Sequence, residues 1–355
     1  MDWKNKKSIV YLKPSVKLQS KIAGFDLDHT LIRPKGGRTH PKDKTDWELY
    51  VPDLKEYLDA LIFDGFSIVI FSNQSSFGDP KKKEIILSRI EQFVTLMELP
   101  IYVFISTESD YCRKPNTGMW EEFFGDKTID LANSFYVGDA AGRTRNPLTK
   151  KKDFSCSDRM FAANLGIKFE TPEKYFLEET FPQKEIFSMP KVWETFPTEQ
   201  PPFDPEDYEV IILIGPPGSG KSSFVESLSD FIVVSRDILR YKAKCIKLMN
   251  DVLKTGGKVI VDNTNPSREA RKDYLEVAKT YGKKVLAVQI NVTKEQSMFL
   301  VNYRCKKNKT KRIPDVAIHT YFKKYEKPIK GEGLDKIVER SFVPEGDLTL
   351  FQQYF

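Results

Sequence analysis

Two kinds of hydrophobic pattern take turns along the first half of this chain. Unbroken apolar runs lie at Ile22-Ala23-Gly24-Phe25, at Ser67-Ile68-Val69-Ile70-Phe71-Ser72, and over 102–105 and 134–137. Runs of that length predict strands of a parallel sheet covered on both faces. Between them the apolar positions fall at helical spacing. Leu54, Leu58 and Leu61 mark a helix over 53–64 that starts at Pro52-Asp53. Ile85, Ile86, Ile90, Phe93, Val94 and Met97 mark another over 81–98, and a shorter one fits 117–124. Such alternation predicts a doubly wound α/β sheet. Ahead of it, Ser8-Ile9-Val10-Tyr11-Leu12 predicts a leading edge strand.

The pattern stops over 181–208, where Pro182, Pro190, Pro197, Pro201, Pro202 and Pro205 exclude regular elements. That stretch also holds Phe187, Trp193, Phe196 and Phe203, too many aromatics for a free linker, so it is expected to lie against a domain. From 209 the alternation resumes. Strands are predicted over 210–214, 231–235, 258–261 and 284–290, with helices from 221 and over 237–254, 266–281 and 294–303. The expected organisation is a short segment 1–20, an α/β domain 21–180, a connector 181–208 and a second α/β domain 209–355.

Composition adds limits rather than identity. With 355 residues, 40% hydrophobic and 30% charged, the chain reads as globular and not disordered. A formal charge of +6 permits nucleic acid as a partner without demanding it. Cys112, Cys156, Cys245 and Cys305 form no CxxC pair, which argues against a zinc site or a disulfide framework. No apolar run approaches the length of a membrane span, and no secretory signal opens the chain.

Chemistry enters where the first strand ends. In Phe25-Asp26-Leu27-Asp28-His29-Thr30, side-chain alternation puts Asp26 and Asp28 on one face as the chain leaves the sheet, where ligands of open α/β sheets bind. Three further landmarks follow in order: Ser72 of Phe71-Ser72-Asn73-Gln74, Lys114 of Arg113-Lys114-Pro115, and Asp139 of Val137-Gly138-Asp139. Singly, each has an ordinary reading as a turn or surface residue. Together they suit phosphoryl transfer. Asp26 would attack phosphorus, and Asp28 would protonate the leaving oxygen and then activate water. Ser72 and Lys114 would hold the phosphoryl oxygens, and Asp139 would join Asp26 on Mg²⁺. This order resembles the haloacid dehalogenase superfamily of aspartyl-phosphate phosphatases, over about 22–169. Many of its members carry a second acid just after the metal-binding Asp; here Asp153 and Asp158 stand further on, and the sequence leaves open which one serves.

The second half carries Gly215-Pro216-Pro217-Gly218-Ser219-Gly220-Lys221-Ser222 between a strand and a helix, a complete phosphate-binding P-loop. Gly215, Gly218, Ser219, Gly220, Lys221, Ser222 and Ser223 are the expected ATP-binding residues, with Ser222 on Mg²⁺. Asp237, just past the next strand, suits a base for a substrate hydroxyl, or else a helix cap. Lys258-Val259-Ile260-Val261-Asp262 reads as a Walker B strand. The basic run Arg304, Lys306, Lys307, Lys309, Lys311 and Arg312 falls where small kinases place a lid over ATP.

A DxDxT phosphatase followed by a P-loop kinase with Arg236-Asp237 after its second strand resembles the polynucleotide kinase 3′-phosphatases. Gly118-Met119-Trp120, Asp139-Ala140-Ala141-Gly142-Arg143, Asp153-Phe154-Ser155-Cys156, Thr171-Pro172-Glu173 and Asp262-Asn263-Thr264-Asn265 extend the likeness over nearly the whole chain. The resemblance implies removal of 3′-phosphates and ATP-dependent phosphorylation of 5′-hydroxyls at DNA ends. It also implies Mg²⁺ at both sites (Asp26, Asp28 and Asp139; Ser222), a nuclear location and a monomer. Two departures show: no forkhead-associated domain is expected before the phosphatase half, and Met298 stands where a basic lid residue is expected, leaving Arg304 or Arg312. Rival readings are the same paired activities on RNA ends or small metabolites, and a non-catalytic nucleotide-binding scaffold.

Overall fold

A computed structural model describes residues 1–145, 152–179, 189–205, 207–346 and 348–355. Pro182 and Phe187 of the connector lie outside the described residues. The chain divides into two compact units, Met1–Pro190 with Cys305–Arg312 and Gln353–Phe355, and Lys191–Arg304 with Ile313–Gln352.

The first unit is built on a 7-stranded sheet in the order Lys4–Lys6, Ile9–Leu12, Ile101–Ser106, Phe66–Asn73, Lys21–Phe25, Phe135–Val137, Lys168–Glu170. The last five run parallel and the first two join antiparallel. Ile9–Leu12 is therefore not the edge strand its sequence suggests. Lys4–Lys6 pairs outside it, fully exposed, and its lysines blunt the edge. The apolar run in Phe66–Asn73 serves both faces. Ile68 and Ile70 pack with Leu54, Leu58, Ile90 and Phe93 on one side, and Val69 and Phe71 with Phe104, Met119, Trp120 and Phe161 on the other. The helix Pro80–Met97 starts where Asp79 accepts the Lys81 and Lys82 amides and Pro80 sets the first turn. From Lys21–Phe25 the chain builds toward Phe66–Asn73 on one side and later toward Phe135–Val137 on the other. That reversal opens a crevice at the carboxyl end of the central strand.

The second unit carries an all-parallel 5-stranded sheet, ordered Phe231–Val234, Lys258–Val261, Val210–Ile214, Val285–Asn291, Lys336–Ser341. Val210–Ile214 is buried throughout. The predicted helix over 237–254 is two helices, Arg236–Leu239 and Lys242–Lys254, parted at Arg240, whose φ is 67°. The predicted helix over 294–303 runs on as Lys294–Asn308. Connector aromatics pack within this unit: Phe196 against Phe299, Phe342 and Phe351, and Phe203 on Phe224. Ser157–Leu165, Pro172–Leu177, Asp315–Lys324 and the strand Lys336–Ser341 have no counterpart in the sequence reading, because their apolar periods are short or interrupted. Among the described residues, no helix is long and apolar enough to cross a membrane.

Candidate active sites

In the first unit the four predicted landmarks converge on the crevice. Asp26 follows Lys21–Phe25 directly, and its amide donates to the Val137 carbonyl at 2.9 Å, which ties it to the neighbouring strand. Ser72 lies near the end of Phe66–Asn73, Lys114 after Ile101–Ser106, and Asp139 after Phe135–Val137. Lys114, 3% exposed, is the hub. Its ammonium donates to Asp26 Oδ1 at 2.6 Å, to Asp158 Oδ1 at 2.7 Å and to the Tyr136 hydroxyl at 2.7 Å.

Asp158, not Asp153, joins the acid cluster. Carboxylate oxygens of Asp26, Asp139 and Asp158 lie within 4.8 Å of one another. Asp158 Oδ2 also accepts the Ala140 amide at 3.0 Å, and its approach explains Gly138: a Cβ there would meet Asp158 Oδ2 at 2.5 Å. Asp153 instead accepts from Arg143 Nε at 2.8 Å, while Arg143 Nη1 donates to Glu173 at 2.7 Å and Nη2 to the Asp139 carbonyl at 3.1 Å. That buried network braces the loop carrying Asp139.

The electrostatics of the cluster are unbalanced. Burial pushes Asp26 up to about 7 despite Lys114, with Asp158 adding to the rise. Asp139 rises well above the usual carboxylate range, through burial and then the fields of Asp26 and Asp158. Three clustered acids with one lysine form an oxygen-rich site short of positive charge, which fits a hard divalent cation such as Mg²⁺.

Asp28 is held differently. Burial raises its carboxyl, but the Arg89 guanidinium and the hydrogen bonds from Arg89 and Gln74 outweigh it and hold Asp28 below its ordinary value. Arg89 Nη2 donates to Asp28 Oδ1, and Gln74 Nε2 donates to Asp28 Oδ2 at 2.8 Å and to Ser72 Oγ at 2.9 Å. Arg89, Gln74 and Tyr136 escaped the sequence reading. The signal for Arg89 was there: a cation on the buried stripe of Ile86, Ile90, Phe93 and Met97 needs a partner.

In the second unit the P-loop follows Val210–Ile214, with Gly218 at φ 78° and Gly220 at φ 88°, conformations that side chains resist. Lys221 folds back, its ammonium donating to the carbonyls of Gly215 at 2.9 Å and Pro216 at 2.8 Å and toward Ser219 Oγ at 3.4 Å. Burial lowers Lys221 to about 8, although Asp262 and Asp237 pull it upward. Ser222 Oγ donates to Asp262 Oδ2 at 3.2 Å, which joins the loop to the Lys258–Val261 strand; Ser223 is exposed. Asp237 is exposed and is not the helix cap, because Ser235 Oγ accepts the Asp237 amide at 3.3 Å and fills that role. Arg304, exposed, acts on Lys221 through its field, whereas Arg312 belongs to the first unit.

The basic run departs from the expected lid. Lys306 is buried in the first unit, donating to Thr117 Oγ1 at 2.6 Å and to Glu121, and Lys311 pairs with Glu108 at 2.7 Å. Of the run, only Arg304 belongs to the P-loop unit.

Comparison with known proteins covers both halves. A profile of the polynucleotide kinase 3 phosphatase family matches residues 21–176. A bifunctional polynucleotide phosphatase/kinase of Schizosaccharomyces pombe is 35% identical over 340 residues, 92% of this chain and 81% of its own. A polynucleotide 3′-phosphatase of Arabidopsis thaliana is 34% identical over 196 residues, 49% of this chain and 27% of its own. A polynucleotide 3′-phosphatase of Saccharomyces cerevisiae is 29% identical over 213 residues, 44% of this chain and 87% of its own. The relative from S. pombe spans the Lys114-centred cluster and the P-loop alike, and the chain belongs to the family of bifunctional polynucleotide phosphatase/kinases.

Proposed function

We propose that this chain repairs the chemistry of broken DNA ends, removing 3′-phosphates in its first unit and phosphorylating 5′-hydroxyls from ATP in its second. The observation that carries the reading is the buried Lys114 bridging Asp26 and Asp158 in the same chain as a complete P-loop. Asp26 attacks the phosphorus of the 3′-phosphate, the bond to the 3′ oxygen breaks, and an aspartyl-phosphate forms. Asp28 gives a proton to the leaving oxygen, then takes one from the water that releases phosphate and restores Asp26. As Arg89 holds it, Asp28 is a carboxylate, the state that suits the water step. Proton donation therefore requires the Arg89 contact to loosen. Ser72 and Lys114 hold phosphoryl oxygens. Asp26 and Asp139, with Asp158, would hold Mg²⁺, which neutralises phosphate charge when bound, while the Asp28 carboxylate, engaged by Arg89 and Gln74, stands outside that cluster.

In the second unit Lys221 and the loop amides would hold ATP phosphates, Ser222 would hold Mg²⁺, and Asp237 takes the proton of the 5′-hydroxyl. Arg304 is the lid cation of this reading. The nucleus is the compartment this activity implies. The test pairs a 3′-phosphate with a 5′-hydroxyl, on DNA and on RNA, and adds a 3′-mononucleotide, each with Mg²⁺ and ATP. DNA ends should be processed best at both termini. Equal or better turnover of the mononucleotide at low salt would leave a metabolite enzyme instead.

The P-loop makes a pH prediction. Phosphates need the charged form of Lys221, and burial lets that proton go near pH 8 in the free protein. ADP affinity should be flat below about pH 7 and weaken about tenfold by pH 9, since one proton is linked to binding. Calorimetric titration measures this, and an unchanged affinity at pH 9 would place the phosphates away from Lys221.

A further inference from the structure

The segment around Asp237 offers more than a base. Ile238 is 69% exposed and Tyr241 65% exposed, two large apolar side chains in solvent within one turn of the candidate base. Their backbone is pinned. Arg236 donates its amide to Asn263 Oδ1 at 2.9 Å, Arg240 to the Arg236 carbonyl at 2.8 Å, and Tyr241 to the Leu239 carbonyl at 2.8 Å. Arg240, held at φ 67°, ends the turn in a conformation that non-glycine residues seldom adopt and that collects at functional sites. Arg236, Arg240 and Lys244 form no ion pair with a described residue. The Lys244 ammonium lies 5.7 Å from the Tyr241 ring centroid.

Exposed aromatics interleaved with free cations are how single strands are held, bases on rings and phosphates on ammonium or guanidinium groups. Position chooses the occupant. Phe231–Val234, which leads into this segment, is the edge strand two places from Val210–Ile214, so the segment lies about 10 Å to one side of the P-loop strand. On the kinase reading an acceptor hydroxyl would meet Asp237 on that side, apart from the loop that would take the donor's phosphates. Resting on the kinase reading above, we infer that Tyr241, flanked by Ile238, is a stacking platform for the 5′-terminal base of a single-stranded acceptor. Arg240 and Lys244 take the phosphates that follow that base.

Kinetics of 5′-phosphorylation on a single-stranded oligonucleotide test this. Tyr241→Ala should raise the acceptor KM about 5–150-fold, the range for losing one stacked base, with turnover nearly unchanged. Tyr241→Trp should keep the wild-type KM. Wild-type enzyme given an acceptor with an abasic 5′ terminus should show the same raised KM, and Tyr241→Ala should add nothing to it. Replacing Arg240 and Lys244 by Gln should lower the salt slope of log KM by roughly 0.7 for each contact. Asp237→Asn should instead cut turnover about 10²–10⁴-fold and spare KM. ADP binding and 3′-phosphatase activity report folding of each variant. A Tyr241→Ala enzyme with wild-type KM, or one whose KM loss persists undiminished on the abasic acceptor, overturns the platform. Wild-type enzyme that phosphorylates no 5′-hydroxyl overturns the kinase reading itself.

Discussion

Asp26→Asn protein should lose 3′-phosphatase turnover by on the order of 10⁴-fold or more while its kinase activity stays within about twofold of wild type. An amide has no lone pair of comparable nucleophilicity to offer phosphorus, and no second carboxylate of the cluster stands in its place at the end of Lys21–Phe25. Misfolding would not account for such a loss. Burial already pushes the Asp26 carboxyl up to about 7, so a neutral isostere relieves a charge conflict rather than creating one. Lys221→Ala should show the converse, with kinase turnover down by about 10²–10³-fold and the phosphatase intact. The two assays on purified, folded variants decide it. A single substitution that removes both activities would mean one shared site.

Replacing Lys114 with Met should strike both activity and stability. The ammonium is the only cation that Asp26 and Asp158 share among the described residues, and it is 3% exposed. Removing it leaves buried acids facing one another, at a cost of about 3–5 kcal/mol for a broken buried pair. The sign with pH follows from the cluster. Near pH 5 Asp26, with its carboxyl at about 7, is largely protonated and the repulsion is muted. Above pH 7 the wild-type carboxyl ionises beside Lys114, whereas without that cation it is pushed higher still, so the stability deficit relative to wild type should grow from pH 5 to pH 8. Chemical denaturation at the two pH values measures this, and added Mg²⁺ should recover part of the deficit. Phosphatase turnover should fall about 10²–10³-fold, as when a transition-state cation is lost. Equal stability at both pH values would show that Lys114 does not compensate the acids.

Much of this molecule could be read before any coordinates. Ser67-Ile68-Val69-Ile70-Phe71-Ser72 announces a strand buried on both faces, because only such a strand tolerates apolar side chains pointing both ways. Asp26, Asp28 and Lys221 are legible for a related reason: local backbone form dictates where their side chains emerge, at a strand end or in a glycine-rich loop. Those features depend on neighbours within a few residues, and local sequence encodes them.

What the sequence left open depended on partners distant along the chain. Asp153 and Asp158 looked equivalent. The choice fell to Asp158 because its helix starts against Ala140, where Gly138 makes room for the carboxylate, while Arg143 claims Asp153. Arg89 became visible as the partner of Asp28 only once Pro80–Met97 was laid on the sheet. Asp237 could have been a cap until Ser235 was seen to fill that place. Lys306 read as part of a solvated basic run, yet it is buried beside Thr117 and Glu121. The fold class and the placement of most candidate catalytic residues were thus determined by the sequence itself, through periodicity and turn chemistry. Charge pairing was decided by tertiary structure alone, because a buried ion takes whichever opposite charge the fold brings within reach, and desolvation makes that choice costly to get wrong.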